Sequence, residues 1–467
     1  MTPTDTVDLI VENGTVVTAD ATAAMDLAMH DGRFVAMAPR GELGMAAAER
    51  FEATGLYVLP GVIDGHVHFR EPGLMHKEDW RTGSTAAAFG GVTTVLEMPN
   101  TIPPTDSATR VGEKRLLAEA SSLVDFGLFG LITPGNIAAI APMAAAGVVG
   151  FKCYLGPTVG DLAAPDDGQL LDAMRAVAAT GLRIGFHAES DQIVQHGIRA
   201  MKAAGRTDPL AHLESRPAVA EVDAIQRVGP FAAETGARIH IFHLSSRQGL
   251  DAVEEWRAKG VDITCEATPH HVFLVAEAMA RLGGRMRINP PVRLGAEGHA
   301  AALLAGLTDG RITSIATDHS PHTAAEKSSD DIWRVASGFP GVETSVAMFL
   351  TRAVNAGRMT LQQFARATSE GPARTWGLWP QKGAIAIGSD ADLTIIDLDQ
   401  IGVIRDAALH SKDPVTPYDG LPTRGAPVAT IVRGRLVAQD GRVASSRQGR
   451  MVRPVDDLAG GVTLRET

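Results

Sequence analysis

Short hydrophobic stretches with strand character open the chain. They span Asp8–Glu12, Thr15–Thr18 and Arg33–Ala36, and the dipeptides Asn13-Gly14 and Asp31-Gly32 separate them. Because such dipeptides readily adopt the left-handed backbone of tight hairpin turns, the pattern predicts short strands joined by turns at both dipeptides.

The C-terminal part of the chain has the same texture. Ala391–Asp397 and Val428–Val432 are strand-like, and Arg433-Gly434 is typical of a turn. We therefore expect the two ends to form one small discontinuous β-sandwich domain, made of residues 1–56 and 380–445. The weak patterning beyond it predicts a C-terminal extension over residues 446–467.

Between these ends, hydrophobic runs alternate with helical stretches. The runs are Tyr57–Phe69, Val92–Met98, Phe126–Ile132, Val149–Leu155, Arg183–Glu189, Arg238–Ser245, Asp262–His270 and Ser314–His322. Strands that alternate with helices favour parallel βαβ units, and eight such units fit a (β/α)8 TIM barrel. The predicted fold class is therefore α/β, with the barrel over residues 57–379.

Polar side chains follow most of these runs, at the point where each predicted strand ends. His66 and His68 are two residues apart, so on a strand both imidazoles point to the same side. His187, His243 and Asp318 lie at the ends of three other runs. The carboxyl ends of barrel strands meet at one mouth, which is where barrel enzymes carry their chemistry. These five side chains are therefore expected to converge.

Imidazole and carboxylate groups are ligands that zinc accepts in proteins. Five of them exceed the need of a single catalytic zinc, so the pattern predicts two divalent metal ions, with zinc as the candidate. A cationic Lys152 beside two metals would be repelled, whereas a CO2-derived carbamate on its amine could give one oxygen to each. Glu189 and Glu266 are expected to support ligands by hydrogen bonding. The role of His270-His271 stays open.

Composition and charge narrow the possible partners. Lys and Arg number 43 against 54 Asp and Glu, which gives a formal net charge of −11. This charge disfavours nucleic acid and anionic membranes as partners, because their phosphates are repelled at long range.

The chain has only two cysteines, Cys153 and Cys265, so a disulfide framework is excluded and a reducing cytoplasm is expected. Neither a signal peptide nor an apolar span of about 18 residues is recognisable.

Several strings of residues resemble the cyclic-amide branch of the amidohydrolase superfamily, which comprises dihydroorotases, allantoinases, hydantoinases and dihydropyrimidinases. The resemblance extends from Gly61 to about Gly434. The strings most similar to dihydroorotases are Asp64–Gly73, His76–Asp79, Met98–Thr101, Asn289–Arg293 and Ala316–Thr323.

The resemblance implies a role for each site residue. The implied metal ligands are His66, His68 and Asp318 on one metal, His187 and His243 on the other, and carboxylated Lys152 as the bridge, while the implied substrate contacts are Arg70, Asn100, Asn289 and His322. Asp318 would also be the catalytic group. It would take a proton from the attacking hydroxide and deliver it to the leaving ring nitrogen.

The resemblance implies a hydrolase of a cyclic amide, and Arg70 and His322 suit a substrate with a carboxylate. Dihydroorotase is therefore the favoured activity, interconverting dihydroorotate and N-carbamoyl-aspartate in pyrimidine biosynthesis. We expect a small-molecule substrate and a homo-oligomer, either a dimer or a tetramer.

Allantoinase and hydantoinase activities are alternatives. Ile102–Thr105 looks allantoinase-like, whereas hydantoinases usually have a Tyr five residues after the bridging Lys, where this chain has Pro157. Many bacterial dihydroorotases have an Asp in place of that Lys, and Asp166 or Asp167 could then supply a carboxylate. A non-catalytic dihydroorotase-like scaffold protein is a further alternative, but its expected mark, the loss of metal ligands, is not found.

Overall fold

The computed structural model describes residues 6–156, 163–444 and 448–455, so Pro157 and most of the predicted extension over 446–467 lie outside the described residues. The strands, in chain order, are β1 Val7–Val17, β2 Thr22–His30, β3 Arg33–Pro39, β4 Ala47–Glu52, β5 Tyr57–Pro60, β6 Val62–Val67, β7 Val92–Glu97, β8 Asp125–Leu131, β9 Gly150–Tyr154, β10 Arg183–His187, β11 Arg238–Ile241, β12 Ile263–Ala267, β13 Ser314–Ile315, β14 Leu393–Val403, β15 Pro422–Val432, β16 Arg435–Gln439 and β17 Arg442–Val443.

The α-helices are mostly placed between barrel strands. They are α1 Trp80–Phe89, α2 Ala108–Ser121, α3 Ile140–Ala145, α4 Asp167–Ala178, α5 Asp191–Ala203, α6 Pro209–Glu214, α7 Ala218–Thr235, α8 Arg247–Ala258, α9 Pro269–Phe273, α10 Met279–Leu282, α11 His299–Asp309, α12 Ala324–Lys327, α13 Ser345–Phe349, α14 Leu361–Ala365 and α15 Gly371–Thr375. Within the described ranges, none of these helices combines the length and the apolar character needed to cross a membrane.

Eight parallel strands, β6 to β13 in spatial order, form the barrel. The first and last strands meet through a bridge between Val67 and His319, where the His68 N–H donates to the His319 carbonyl at 2.7 Å. Strands such as β8 are buried along their whole length, as expected for a parallel sheet covered on both faces. The prediction of an α/β barrel is confirmed.

The strands from the two ends of the chain lie in one nine-stranded sheet. Its order is β17-β16-β15-β14-β5-β1-β2-β3, with β4 paired to β1. Apolar residues from both ends, among them Leu27 and Ile431, form a core of their own. The predicted pairing of the two ends is therefore confirmed, while the division into domains at residues 56, 380 and 445 stays a prediction.

The hairpin predicted at Asn13-Gly14 is wrong. β1 runs through this dipeptide and pairs with β2 on both sides of it, with a bulge between Val11 and Gly14. Asn13 takes the left-handed conformation, with a φ of 66°, and its N–H donates to Asp26 Oδ1 at 2.9 Å. A Cβ at Gly14 would come within 2.7 Å of Val58, so the bulge needs glycine there. The turns predicted at Asp31-Gly32 and Arg433-Gly434 do join antiparallel strands.

The first predicted barrel run, Tyr57–Phe69, is divided in two. Its first part, β5, pairs with β1 and β14 of the terminal sheet, and only β6 belongs to the barrel. The division falls at Gly61, where a Cβ would lie 2.2 Å from Thr93 Oγ1 and 2.6 Å from Asp392 Cβ. The two sheets approach each other so closely here that only glycine fits. Periodicity alone could not indicate this, because both parts are apolar.

A buried cluster of charges joins the barrel to the terminal sheet. Lys382, only 1% exposed, donates to Asp125 at 2.5 Å and to Asp392 at 2.6 Å, and lies 3.1 Å from Asp390. Arg433 also pairs with Asp125. Although burial alone lowers the pKa of Lys382, these three carboxylates raise it above its ordinary value. Lys382 and Arg433 together therefore offset the charge of carboxylates from both parts of the molecule.

We predict that Lys382→Met destabilises the fold strongly. Removal of the ammonium leaves buried carboxylates without their partner, which costs about 3–5 kcal/mol. Chemical denaturation, followed by circular dichroism, measures this effect. Lys259→Met is the control, since Lys259 forms an exposed pair with Glu255 that contributes about 0.3–0.5 kcal/mol. Similar denaturation midpoints for the two variants would contradict the prediction.

Candidate metal centre and active-site cavity

A cavity of about 290 Å³ opens at the carboxyl ends of the barrel strands. The predicted site residues that line it are His66, His68, Arg70, Asn100, Lys152, His187, His243, Asn289 and Asp318. His322 is the predicted site residue that does not line the cavity. The structure thus brings residues from distant parts of the sequence to one mouth.

His66, His68 and Asp318 form the tightest group in the cavity. The Nε2 atoms of His66 and His68 lie 3.3 Å and 3.2 Å from Asp318 Oδ1. All three side chains are buried, and their ligand atoms lie within 4.8 Å of one another. Within the described residues, this is the one group of three or more His, Cys, Asp or Glu side chains with the spacing of a metal site.

The hydrogen bonds made by Nδ1 of His66 and of His68 determine that the other ring nitrogen, Nε2, faces Asp318. His66 Nδ1 lies 2.7 Å from Glu266 Oε1, which also accepts from the backbone N–H of His243 and therefore acts as an acceptor. His68 Nδ1 lies 2.9 Å from Asn100 Oδ1, an atom that can only accept. Both rings thus donate through Nδ1 and direct the lone pair of Nε2 towards Asp318. The predicted hydrogen bonding of Glu266 to a site residue is confirmed, while the role of His66 as a ligand stays a prediction.

These three atoms suit a metal cation. Burial lowers the pKa of both His66 and His68 well below the usual value, so both imidazoles are neutral, as metal ligands must be. Burial also raises the pKa of Asp318 to about 7. Two imidazole nitrogens and a carboxylate oxygen this close together in a buried place are an arrangement that a divalent cation satisfies.

His187 and His243 form a second pair of imidazoles. His187 Nε2 donates to Glu189 Oε2 at 2.8 Å, so the predicted hydrogen bonding of Glu189 is confirmed, while the role of His187 as a ligand stays a prediction. The remaining nitrogen, Nδ1, carries the lone pair and lies 3.0 Å from His243 Nε2. His243 Nδ1 is buried, and no described residue is its hydrogen-bond partner. The two imidazoles thus lie in contact beside the first group, and they are the candidate ligands of a second metal.

Lys152 lies on β9 with an unusual environment for an amine. Its Nζ lies 3.8 Å from the centre of the Phe242 ring and 5.0 Å from that of Tyr154, and no described carboxylate lies within 4.0 Å of it. Burial lowers the pKa of Lys152 to about 7. A substantial fraction of the amine is therefore neutral near pH 7, which is the form that reacts with CO2.

The two carboxylates considered as replacements for Lys152 are engaged elsewhere. Asp166 is exposed and caps α4 by accepting from the Gln169 N–H at 2.8 Å. Asp167 is also exposed and pairs with Arg227 at 2.7 Å. Neither lines the cavity, so neither can supply an oxygen to the site in this conformation.

Backbone strain is concentrated at the cavity. Arg70, His243 and Asp318 all have positive φ angles, of 66°, 38° and 47°. Left-handed backbone at residues other than glycine costs about 1–3 kcal/mol each and is typical of functional sites. The other described non-glycine residues with positive φ lie in the terminal sheet and its turns. At the cavity, the strain turns these side chains towards the mouth.

Arg70 reaches the cavity from a turn. β6 ends at Val67, so Arg70 lies beyond the strand, in the turn that follows it. Its Nε donates to the Pro321 carbonyl at 3.3 Å, and one of its terminal nitrogens lies 3.3 Å from His322 Nε2. His322 therefore lies behind Arg70, where it can act on a ligand only through the guanidinium.

Sequence reasoning missed Arg216, which lines the cavity and pairs with Glu189. Although burial by itself raises the pKa of Glu189, Arg216 and His187 hold it at about 2. Glu189 is therefore anionic and links Arg216 to His187. The only signal in the sequence was an Arg-Pro dipeptide before a helical stretch, which is common on protein surfaces.

Known proteins with similar sequences and structures share this architecture. The Amidohydrolase family matches residues 57–437. The chain is 38% identical over 449 residues to an allantoinase of Solibacter usitatus, covering 96% of this chain and 97% of that protein. It is 39% identical over 437 residues to a dihydroorotase of Methanothermobacter thermautotrophicus, covering 93% and 95%. The solved L-hydantoinase (dihydropyrimidinase) from Arthrobacter aurescens has a TM-score of 0.93 and 35% identity, covering 96% of this chain and 100% of that chain.

We predict that His66→Ala and His243→Ala each lower the metal content, because each removes a nitrogen from one of the two clusters. Elemental analysis of protein reconstituted with zinc measures this. His196→Ala, on the exposed face of α5, is the control and should keep its metal. A wild-type content below about one ion per chain would contradict a two-metal site.

Proposed function

Because the chain belongs to the Amidohydrolase family and is a cyclic amide hydrolase, we propose that its substrate is a cyclic amide whose ring carries a carboxylate. Dihydroorotate is the best candidate, with N-carbamoyl-aspartate as the product of ring opening and the substrate of the reverse reaction. The main support for this proposal is that Arg70 is buried in the cavity wall without a carboxylate partner among the described residues.

Arg70 is a buried charge that lacks a counter-ion. It is 2% exposed, and within the described part of the chain no carboxylate oxygen lies within 4.0 Å of its guanidinium. Buried charges are normally paired, because their desolvation is otherwise uncompensated. Arg70 also lines the cavity, together with His66 and His68. A carboxylate on the substrate would pair with it, and a planar guanidinium suits bidentate binding of such a group.

The cavity supports a small, polar ligand. Its volume of about 290 Å³ is at the lower end of the range for ligand pockets. Asn289 also lines it, and its Oδ1 is buried with no described hydrogen-bond partner. This oxygen could accept an N–H of the ring, while Arg70 binds the carboxylate.

We further propose two divalent metals, with zinc as the candidate, held by His66, His68 and Asp318 and by His187 and His243, with carboxylated Lys152 between them. When bound, such metals polarise the amide carbonyl and activate a water as the nucleophile. Phe242 and the barrel core exclude bulk water from the Lys152 side of the site.

Asp318 is proposed to move the proton. Its Oδ1 lies 3.3 Å from His66 Nε2 and 3.2 Å from His68 Nε2, where the attacking water would be held. A carboxylate in this position can accept a proton from the attacking water and then return it. The returned proton would go to the ring nitrogen as the amide bond breaks, so the leaving group departs as a neutral amine or ureido nitrogen.

Allantoinase or hydantoinase activity is the second candidate. It is favoured by the similarity to an allantoinase and to a solved L-hydantoinase over nearly the whole chain. Neutral rings would leave Arg70 buried and unpaired in the complex, so the geometry favours a carboxylate. Turnover of dihydroorotate, allantoin, hydantoin and dihydrouracil by the same preparation separates the candidates.

We predict that Arg70→Met reduces kcat/KM for dihydroorotate by roughly thirtyfold to a few thousandfold, because loss of one partner of a desolvated ion pair costs about 2–5 kcal/mol. His322→Ala should act in the same direction more weakly, because it removes the ring that packs behind the guanidinium and leaves the position of Arg70 less fixed. Both variants should keep their metals, since neither residue is a proposed ligand. If the wild type opens only neutral rings and Arg70→Met leaves that rate intact, the carboxylate proposal fails.

We predict that Lys152→Ala loses both metal and activity, and that acetate or propionate partly restores both by supplying the missing oxygens. Lys152→Arg is the matched variant, because it keeps a cation at the position but cannot form a carbamate. It should be inactive and insensitive to added acids. Full activity of Lys152→Ala without added acid would show that no bridge is needed.

A further inference from the structure

A line of contacts runs from Arg70, in the cavity wall, to a lysine in the loop before α1. Lys77 Nζ lies 3.1 Å from His322 Nδ1 and 2.7 Å from Glu326 Oε1. On the other side of the ring, His322 Nε2 lies 3.1 Å from the Ser337 carbonyl and 3.3 Å from a terminal nitrogen of Arg70. Lys77 and His322 are both buried.

The hydrogen-bonding capacity of His322 allows only one arrangement that satisfies this environment. Lys77 is paired with Glu326, so its ammonium has donors and no acceptor. The ring nitrogen that faces it, Nδ1, must therefore carry the lone pair. A neutral imidazole then has its hydrogen on Nε2, which donates to the Ser337 carbonyl.

In this tautomer, His322 cannot accept a hydrogen bond from Arg70. The Nε2–H of His322 and the N–H groups of Arg70 are both donors, so their 3.3 Å approach is not a hydrogen bond. The terminal N–H groups of Arg70 thus stay available to a ligand in the cavity. In the opposite tautomer, Nε2 would accept from Arg70, and Nδ1–H would face the Lys77 ammonium.

The charges around His322 also keep it neutral. Arg70, Lys77 and Lys327 are the cations that face it, and Glu326 is the anion, at 3.6 Å from Nδ1. Burial, together with these three cations, lowers the pKa of His322 far below its usual value. The ring is therefore a neutral imidazole with one lone pair, for which Lys77 and Arg70 compete.

We propose that Lys77 is a positioning residue that holds His322 in the Nε2–H tautomer and so keeps the guanidinium of Arg70 free for an anionic group of the substrate. The consequence for catalysis rests on the proposed function, that is, on a substrate carboxylate at Arg70. The tautomer itself does not depend on the substrate.

Without Lys77, Arg70 should become the residue that donates to the lone pair of His322. In Lys77→Met, Nδ1 has no donor, and the hydrogen can move from Nε2 to Nδ1. Nε2 would then accept from Arg70 and withdraw one of its donors from the cavity. Lys77→Arg restores a cationic donor that can face both Nδ1 and Glu326, so it should recover most of the effect.

The kinetic test compares these variants on dihydroorotate and on a neutral ring. Lys77→Met should raise KM for dihydroorotate by about tenfold to a hundredfold, with kcat within about twofold of the wild type. Hydantoin or dihydrouracil turnover, where present, should not change. Lys412→Met is the control, because Lys412 binds the Met75 carbonyl and Asp79 in the same loop but does not contact His322.

A double-mutant cycle separates positioning from a general structural role. Once Arg70 is replaced by Met, the tautomer of His322 has no guanidinium to act on, so Arg70→Met/Lys77→Met should be no worse than Arg70→Met alone. Additive losses, or an equal loss with Lys412→Met, would overturn the positioning role.

Nitrogen-15 spectra of histidine-labelled protein test the tautomer directly. His322→Gln identifies the signals of His322, which should show Nε2–H in the wild type and in Lys77→Arg, and Nδ1–H or a mixture in Lys77→Met. A wild-type Nδ1–H tautomer, or an unchanged spectrum in Lys77→Met, would overturn the inference. If the wild type does not open dihydroorotate, the proposed function fails, while these spectra still decide the role of Lys77.

Discussion

The site depends on three hydrogen-bond acceptors that meet in a buried place. Asp318 Oδ1 lies 3.3 Å from His66 Nε2 and 3.2 Å from His68 Nε2. Such a group is favourable for a cation, because the lone pairs of its neighbouring atoms otherwise repel one another in a buried place. Glu266 and Asn100 hold the rings in this orientation from behind, so the protein maintains the arrangement by its own hydrogen bonds rather than by the metal alone.

Closure of the barrel and assembly of this group are linked. The Asp64 carboxylate, on the first barrel strand, accepts from the backbone N–H of His66 at 3.2 Å and from that of Thr317 at 3.0 Å. Thr317 follows the last barrel strand and precedes Asp318. One buried carboxylate therefore fixes the seam of the barrel and brings Asp318 opposite the two histidines. Burial raises the pKa of Asp64 to about 6, so its hydrogen bonds offset a large desolvation cost. Packing of β6 against β13 and ligand geometry are thus determined by the same contacts.

The sequence predicted the barrel strands, whose positions depend on periodicity. It did not predict the features that are determined by tertiary contacts. The eight apolar runs located the barrel strands, and the spacing of His66 and His68 placed both rings on one side, because strand alternation is a local property. Asn13-Gly14 has the composition of a hairpin turn and a bulge alike, and only the pairing of β1 with β2 on both sides distinguishes them. The position of His322 behind Arg70 likewise depends on a left-handed turn that no local pattern indicated.

The candidate metal ligands lie on or beside barrel strands, whereas the residues proposed to recognise the substrate lie in the connections between barrel elements. Any shift of the candidate ligands would disturb the seam. Arg70 lies in the turn after β6, Lys77 in the loop before α1, and Glu326 in the short helix α12, so all three are carried by connections between barrel elements. Connections can change without disturbing a barrel, whereas strand residues cannot. Chains with the same barrel can therefore differ in the ring that they accept, which is consistent with similarity to an allantoinase, a dihydroorotase and an L-hydantoinase at once. It follows that identity over the whole chain is a weak guide to the substrate, and that the charge and hydrogen-bond state of these few loop residues is a stronger one.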